Sequence, residues 1–197
     1  MVAVTKPSYI TPQEYLERER SAEFKSEYCE GVIYAMSGAS EPHNNLSSNI
    51  NGELWAQFKG RHCKVYSSDM KVRVESTGLY TYPDAVALCG EARFEDGRKD
   101  ILLNPALIFE VLSPSTEACD RGQKFSHYQR ISTLTDYVLI SQDRICVERY
   151  QRLADGSWRY TRHEESEEVI HFESLECELR LADIYDKVEF PVADTGA

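Results

Sequence analysis

The run Leu107-Ile108-Phe109-Glu110-Val111-Leu112 is closed by Ser113-Pro114-Ser115. An apolar, β-favouring run stopped by a turn cluster predicts a short buried strand. One carboxylate sits inside it. Burying an ionised carboxylate alone is costly, so Glu110 must be paired, ligated or neutralised. Two readings follow: Glu110 lies at a sheet end and pairs with an arginine, or it holds a metal ion together with a second acid. The second acid is Asp84, in Leu79-Tyr80-Thr81-Tyr82-Pro83-Asp84-Ala85-Val86-Ala87-Leu88, another strand-like run with one acid inside. Pro83 has no donor for a ladder and belongs at a strand start, an edge or a bulge. A bulge would aim the next side chain sideways, as happens beside active sites. Between the two runs, residues 90–104 form a polar loop.

At 197 residues the chain is long enough for one domain with a real core. That domain is expected at 11–190, between an N-terminal arm (1–10) and a C-terminal tail (191–197). No run is long enough to span a bilayer, and the start Met-Val-Ala-Val-Thr-Lys-Pro offers no apolar segment fit for a secretory signal. A cytoplasmic protein is expected. The six cysteines are dispersed with no Cys-x-x-Cys pair, which argues against a zinc knuckle or a thioredoxin-like motif and predicts free thiols. The net charge of −11 counts against avid, unaided nucleic-acid binding, which is ordinarily the work of basic domains. Acids gathered around a metal would add to that total. With no Gly-x-Ser-x-Gly elbow, serine hydrolase chemistry lacks its motif.

Taken in order, Thr11-Pro12-Gln13-Glu14 starts a helix that runs to about Arg20. Phe24 to Met36 reads as a hairpin turning at Glu30-Gly31. Glu27 reads as a solvated edge charge; Glu30, beside the turn glycine, is a solvated charge or a group at a site's rim. From His43 to about Lys59, Leu46, Ile50, Leu54, Trp55 and Phe58 recur at helical spacing, with Gly60 as a stop. His43, in the first turn on the buried face, is a core residue or reaches a site between helix and sheet. Strands follow at 65–66, 70–74 and 80–88. Lys71 and Arg73 share one face, which meets solvent or, near a metal site, phosphates. A helix from about Glu117 to Ile131 carries Phe125, Tyr128 and Ile131 as its stripe, with Gly122 as a weak point. Asp120 and Lys124 are four apart: a surface ion pair, or a lysine set above the two carboxylates. Strands near 137–140, 145–152, 158–162 and 169–172 and a brief helix at 179–185 complete the chain, with Asp155-Gly156 as a hairpin turn.

The ordered set of Met36-Ser37-Gly38-Ala39-Ser40 before His43, Tyr82-Pro83-Asp84, Glu110-Val111-Leu112-Ser113-Pro114-Ser115-Thr116, and Asp120-Arg121-Gly122-Gln123-Lys124 with Tyr128 resembles the Uma-type endonuclease-like family. That family lies within the PD-(D/E)xK restriction-endonuclease-like superfamily, and the resemblance covers about residues 11–185. It implies an α/β (α+β) fold: a restriction-endonuclease-like central mixed β-sheet flanked by helices, with additional antiparallel strands. It implies metal-dependent hydrolysis of phosphodiester bonds in nucleic acid, DNA ahead of RNA. By position, Asp84, Glu110 and Lys124 would be catalytic. Asp84, Glu110 and the Val111 carbonyl would hold Mg²⁺ or Mn²⁺, which suit hard oxygens. His43, Glu30 and Asp120 are auxiliary candidates, and Lys71 and Arg73 candidate phosphate contacts. The chain departs from the superfamily pattern at Leu112, where a lysine usually stands, so that role would pass to Lys124. A competing reading keeps the fold without catalysis, as an interaction or dimerisation module; exposed edge strands are compatible with a homodimer.

Overall fold

The computed structural model describes residues 9–190; the expected C-terminal tail and all but Tyr9 and Ile10 of the expected arm lie outside the described residues. Ile10 donates its N–H to the Gly31 carbonyl at 3.1 Å, and the Tyr9 ring packs against Gly31 so closely that a Cβ there would stand 2.2 Å from it. Helix α1 (Pro12–Glu19) opens on a reciprocal capping box between Thr11 and Glu14. The hairpin strands β1 (Ser26–Cys29) and β2 (Val32–Ala35) are joined by Glu30 and Gly31 at φ 49° and 88°, the left-handed pair that two-residue hairpins favour. Helix α2 (Glu41–Phe58) is capped by the Ser40 hydroxyl. Then come β3 (Cys63–Ser67), β4 (Lys71–Val74), β5 (Leu79–Thr81), β6 (Ala85–Cys89), β7 (Ile101–Leu102) and β8 (Leu107–Leu112). A short helix α3 (Glu117–Cys119) runs through a π-turn at Asp120–Lys124 into α4 (Phe125–Tyr128). Strands β9 (Asp136–Ser141), β10 (Val147–Arg152), β11 (Trp158–His163), β12 (Val169–Phe172) and β13 (Cys177–Arg180) lead to α5 (Leu181–Ile184).

The strands form a six-stranded mixed sheet in the order β11-β10-β9-β8-β6-β3, a five-stranded sheet in the order β2-β1-β5-β4-β7, and the pair β12-β13. Among the described residues, only β8–β9 and β4–β7 run parallel. Strand β8 is central and buried throughout. Its period of two divides the core. Leu107, Phe109 and Val111 meet Leu46, Ile50, Leu54 and Phe58 of α2. Ile108 and Leu112 face the other way, toward Val72, Val74, Leu79 and Tyr128. Glu110 shares their parity and so points into the layer between the two sheets. This is the mixed α+β architecture the resemblance implied.

Four local expectations need correction. The run 80–88 is two strands in different sheets, because Pro83 cannot extend a ladder and the chain changes sheet at Tyr82-Pro83-Asp84. The helix expected to reach Ile131 ends at Tyr128 and holds a π-turn centred on Gly122, whose missing Cβ weakens regular helix. Trp55, expected on the buried face of α2, is 61% exposed. Cys63 and Cys89 stand directly opposite each other on β3 and β6 and form a disulfide; cross-strand register is invisible in their spacing. Cys29, Cys119, Cys146 and Cys177 are free thiols. Among the described residues, no helix is long and apolar enough to cross a membrane.

Candidate active site

The connection from β5 to β6 is fixed at Tyr82. Its hydroxyl donates to Glu19 Oε1 at 2.8 Å, and its N–H donates to Glu27 Oε1 at 3.2 Å. Its ring lies 5.4 Å from Lys25 Nζ and 5.2 Å from Lys71 Nζ. Two residues on, Asp84 stands at the head of β6. There β8 runs past its partner: Ala85 pairs with Phe109, and nothing of β6 reaches Val111. Asp84 Oδ2 takes the free position and accepts the Val111 N–H at 2.8 Å. In an extended strand one residue's N–H and C=O lie on the same edge, so the Val111 carbonyl also faces Asp84. From the first turn of α2, His43 Nε2 reaches Asp84 Oδ2 at 3.4 Å.

Glu110 lies on the floor of the same cavity, whose volume is about 940 Å³. Its Oε1 accepts from the Tyr128 hydroxyl at 2.9 Å and from Lys124 Nζ at 3.3 Å. Lys124 descends from the π-turn. Its ammonium also lies 3.1 Å from Glu27 Oε1 and 3.2 Å from Asp120 Oδ1. Of these three contacts only that with Glu110 has hydrogen-bond geometry, and Asp120 Oδ1 remains a buried acceptor with no hydrogen bond. Glu27 is held besides by the Thr81 hydroxyl. The π-turn keeps both Asp120 and Lys124 buried against the sheet layer, a use to which such helix irregularities are often put.

Five carboxylates (Glu23, Glu27, Asp84, Glu110 and Asp120) thus line a cavity that holds one buried ammonium, that of Lys124. The surplus of negative charge sets the protonation. Burial pushes the Glu110 carboxyl well above its ordinary range; Lys124 opposes this, and Asp120, Asp84 and Glu27 add to it. For Lys124, burial works against the charge, but Glu110, Glu27 and Asp120 outweigh it and the ammonium is held on firmly. Burial also raises Asp120. His43 is raised: burial lowers it, and the hydrogen bond and charge of Asp84, with Asp120 behind, overcome that.

No three acidic, histidine or cysteine side chains among the described residues form a ready cage for a metal. The donor set still suits a hard divalent ion: a carboxylate at the head of β6, another on the adjoining strand β8, a carbonyl on the same edge, and net negative charge. Mg²⁺ typically binds through one or two carboxylates and keeps several waters.

Of the residues singled out from sequence, Asp84, Glu110, Val111, Lys124, Asp120 and His43 line the one cavity. Glu30 does not: its left-handed turn position leaves it exposed at the hairpin tip. Nor do Lys71 and Arg73. Their shared face packs inward; Lys71 is buried over Tyr15 and Tyr82, and Arg73 is bonded to Glu95 beside the Tyr80 ring. Glu27, read as an edge charge, is the residue missed. It alternates with Cys29 on β1, and an inward Cys29 carries Glu27 inward with it.

A family model described as "Putative restriction endonuclease" (Uma2) matches residues 12–183. Two proteins of Synechocystis sp., both bearing the name uncharacterized protein, are similar along most of their length. One, sll1609, is 37% identical over 161 residues, covering 82% of this chain and 91% of that protein. The other, slr1290, is 34% identical over 160 residues, covering 81% and 83%. Among solved structures, the crystal structure of a chain from Anabaena variabilis, described as a putative nuclease belonging to DUF820, matches with a TM-score of 0.74 at 18% identity, covering 89% of this chain and 97% of that one. At that identity the likeness is one of fold. With the family model spanning nearly all the described residues and two relatives above 30% identity matched over most of their length, the chain belongs to the Uma2 restriction-endonuclease-like family.

Proposed function

We propose that the chain is a metal-dependent nuclease that hydrolyses phosphodiester bonds of nucleic acid, DNA in the first place, with Asp84, Glu110 and Lys124 as its catalytic groups. The observation that carries the reading is their meeting in one cavity from three separate elements, with Lys124 Nζ 3.3 Å from Glu110 Oε1. Asp84, Glu110 and the Val111 carbonyl would hold Mg²⁺ or Mn²⁺. Such an ion supplies Lewis-acid polarisation of a phosphoryl oxygen and lowers the pKa of a bound water.

The chain's own groups do the rest. The Val111 N–H fixes the Asp84 carboxylate, and the Tyr128 hydroxyl fixes that of Glu110, so neither must reorganise on binding. Lys124 stays an ammonium and offsets charge that accumulates on the phosphate, a preorganised role of the kind that dominates such catalysis. Glu27 and Asp120 position Lys124. His43, turned toward Asp84, whose carboxylate favours the charged imidazolium, serves the rim of the site.

The test is Mn²⁺ titration by calorimetry alongside cleavage of nucleic acid offered both as supercoiled plasmid and as a single-stranded circle, in the parent and in Asp84→Asn. The asparagine oxygen can still accept the Val111 N–H, so the fold is kept. We expect Mn²⁺ binding and cleavage in the parent and neither in the variant. A parent with no Mn²⁺ heat and no cleavage hands the site to the non-catalytic module reading.

A further inference from the structure

The β1–β2 hairpin forms one wall of the cavity. Glu27 and Tyr34 are directly opposed in its register. Opposed residues of an antiparallel pair share a face, with Cβ atoms roughly 5 Å apart. Since the Glu27 carboxylate touches Lys124, Tyr34 stands on the same side of the hairpin, one strand out from Glu27. Strand β2 is the edge of its sheet, and Tyr34 is 51% exposed. Phe24, 79% exposed, lines the same cavity. Each is an aromatic face beside an acidic floor, not part of a core.

Electrostatics narrows what such a face receives. The cavity's two lysines are already engaged, Lys25 with Asp69 at 3.1 Å and Lys124 with its three carboxylates. The acids Glu23, Glu27, Asp84, Glu110 and Asp120 line it too, on a chain of net charge −11. Phosphate-backbone attraction, the main source of affinity for duplex, is therefore weak here. Stacking of a base on an aromatic ring needs no charge. An intact duplex hides its base faces, and exposing one carries an unstacking and unpairing cost that a single strand is spared.

We infer that Tyr34, with Phe24 on the same cavity, is a stacking subsite for an unpaired nucleobase next to the phosphate bound over Asp84 and Glu110, so that the substrate is single-stranded nucleic acid or a single-stranded end. The inference rests on the nuclease reading of this cavity. Tyr34, Asp84 and Glu110 line the same cavity, with Tyr34 opposite Glu27 on its hairpin wall. A second copy of the chain pairing along β2 would cover the same ring, and the test separates the two.

The probe is a fluorescein-labelled oligothymidylate of roughly twelve nucleotides with hydrolysis-resistant phosphorothioate linkages, free or annealed to oligodeoxyadenylate, titrated with the full chain in Mn²⁺ and followed by anisotropy. The single strand should bind more tightly than the duplex. Tyr34→Ala should weaken single-strand binding by about 5- to 100-fold, and Tyr34→Trp should restore it; the position is at the surface, and circular dichroism checks the fold. Equal affinity for the two forms, an unaffected Tyr34→Ala, or self-association that buries Tyr34 without oligonucleotide binding each overturns the inference. Mn²⁺ calorimetry and cleavage keep the two readings apart. A chain that binds Mn²⁺ and cuts duplex as readily as single strand loses only the stacking subsite. One that prefers single strands through Tyr34 but neither binds Mn²⁺ nor cuts loses only the nuclease.

Discussion

Glu110 and Lys124 touch, yet neutralising one should do the reverse of neutralising the other. Glu110 is one of three acids around one ammonium, and its carboxyl is already driven toward the neutral form by burial and by its acidic neighbours. Glu110→Gln keeps an oxygen to accept from Tyr128 and Lys124 while deleting a charge. Without divalent ions this variant should unfold at the parent's temperature or above it, and calorimetry should find no Mn²⁺ binding. Lys124→Met keeps the packing but leaves Glu27, Glu110 and Asp120 without their cation. Losing one partner of a buried ion pair typically costs about 3–5 kcal/mol, so its urea midpoint should fall well below the parent's. Equal midpoints for Lys124→Met and the parent would remove the lysine from the centre of the site.

At the scale of elements, legibility followed how much local pattern each segment carries. Strand β8 is buried on both faces, so its apolar run announced a central strand and made Glu110 stand out. Pro83 announced a break beside Asp84. Strand β1 offers only Ser26-Glu27-Tyr28-Cys29, too short to show which face turns inward, and Glu27 went unread. For Lys71 and Arg73 the shared face was correct; what that face packs against is tertiary information, supplied by Tyr15, Tyr82 and Glu95. The spacing of Asp120 and Lys124 fits an α-helix equally well, so the π-turn left no trace beyond Gly122. The Tyr82 anchor invites a direct test. Tyr82→Phe loses only the hydroxyl given to Glu19, which still accepts from Ser26. A hydrogen bond to a charged group is worth about 1.5–3 kcal/mol, so stability should fall by that order, and Mn²⁺ affinity with it as Asp84 loosens. Unchanged affinity would show that β6 alone holds Asp84. The β3–β6 staple is tested by counting thiols in unreduced, denatured protein: four of the six cysteines should react, and six would return the pair to free thiols.

For the whole molecule the governing quantity is charge. The chain carries 33 acidic against 22 basic residues, and self-repulsion of that kind weakens the compact state. Any added salt relieves it by screening, with a reach set by ionic strength alone. A cation bound at one site acts differently: it stabilises the native state by mass action, about 2.7 kcal/mol at a hundredfold excess over its Kd. For a chain of this size that is roughly 5–10 °C in Tm. The two effects separate in one experiment. Mn²⁺ should raise the parent's Tm along a saturating curve, well beyond NaCl matched in ionic strength. Asp84→Asn should keep the NaCl response and lose the Mn²⁺ increment, because screening does not depend on one carboxylate whereas coordination does. If matched NaCl and Mn²⁺ move the parent and the variant alike, the acids around Lys124 are a dispersed charge load on the fold, and the cavity is not a metal centre.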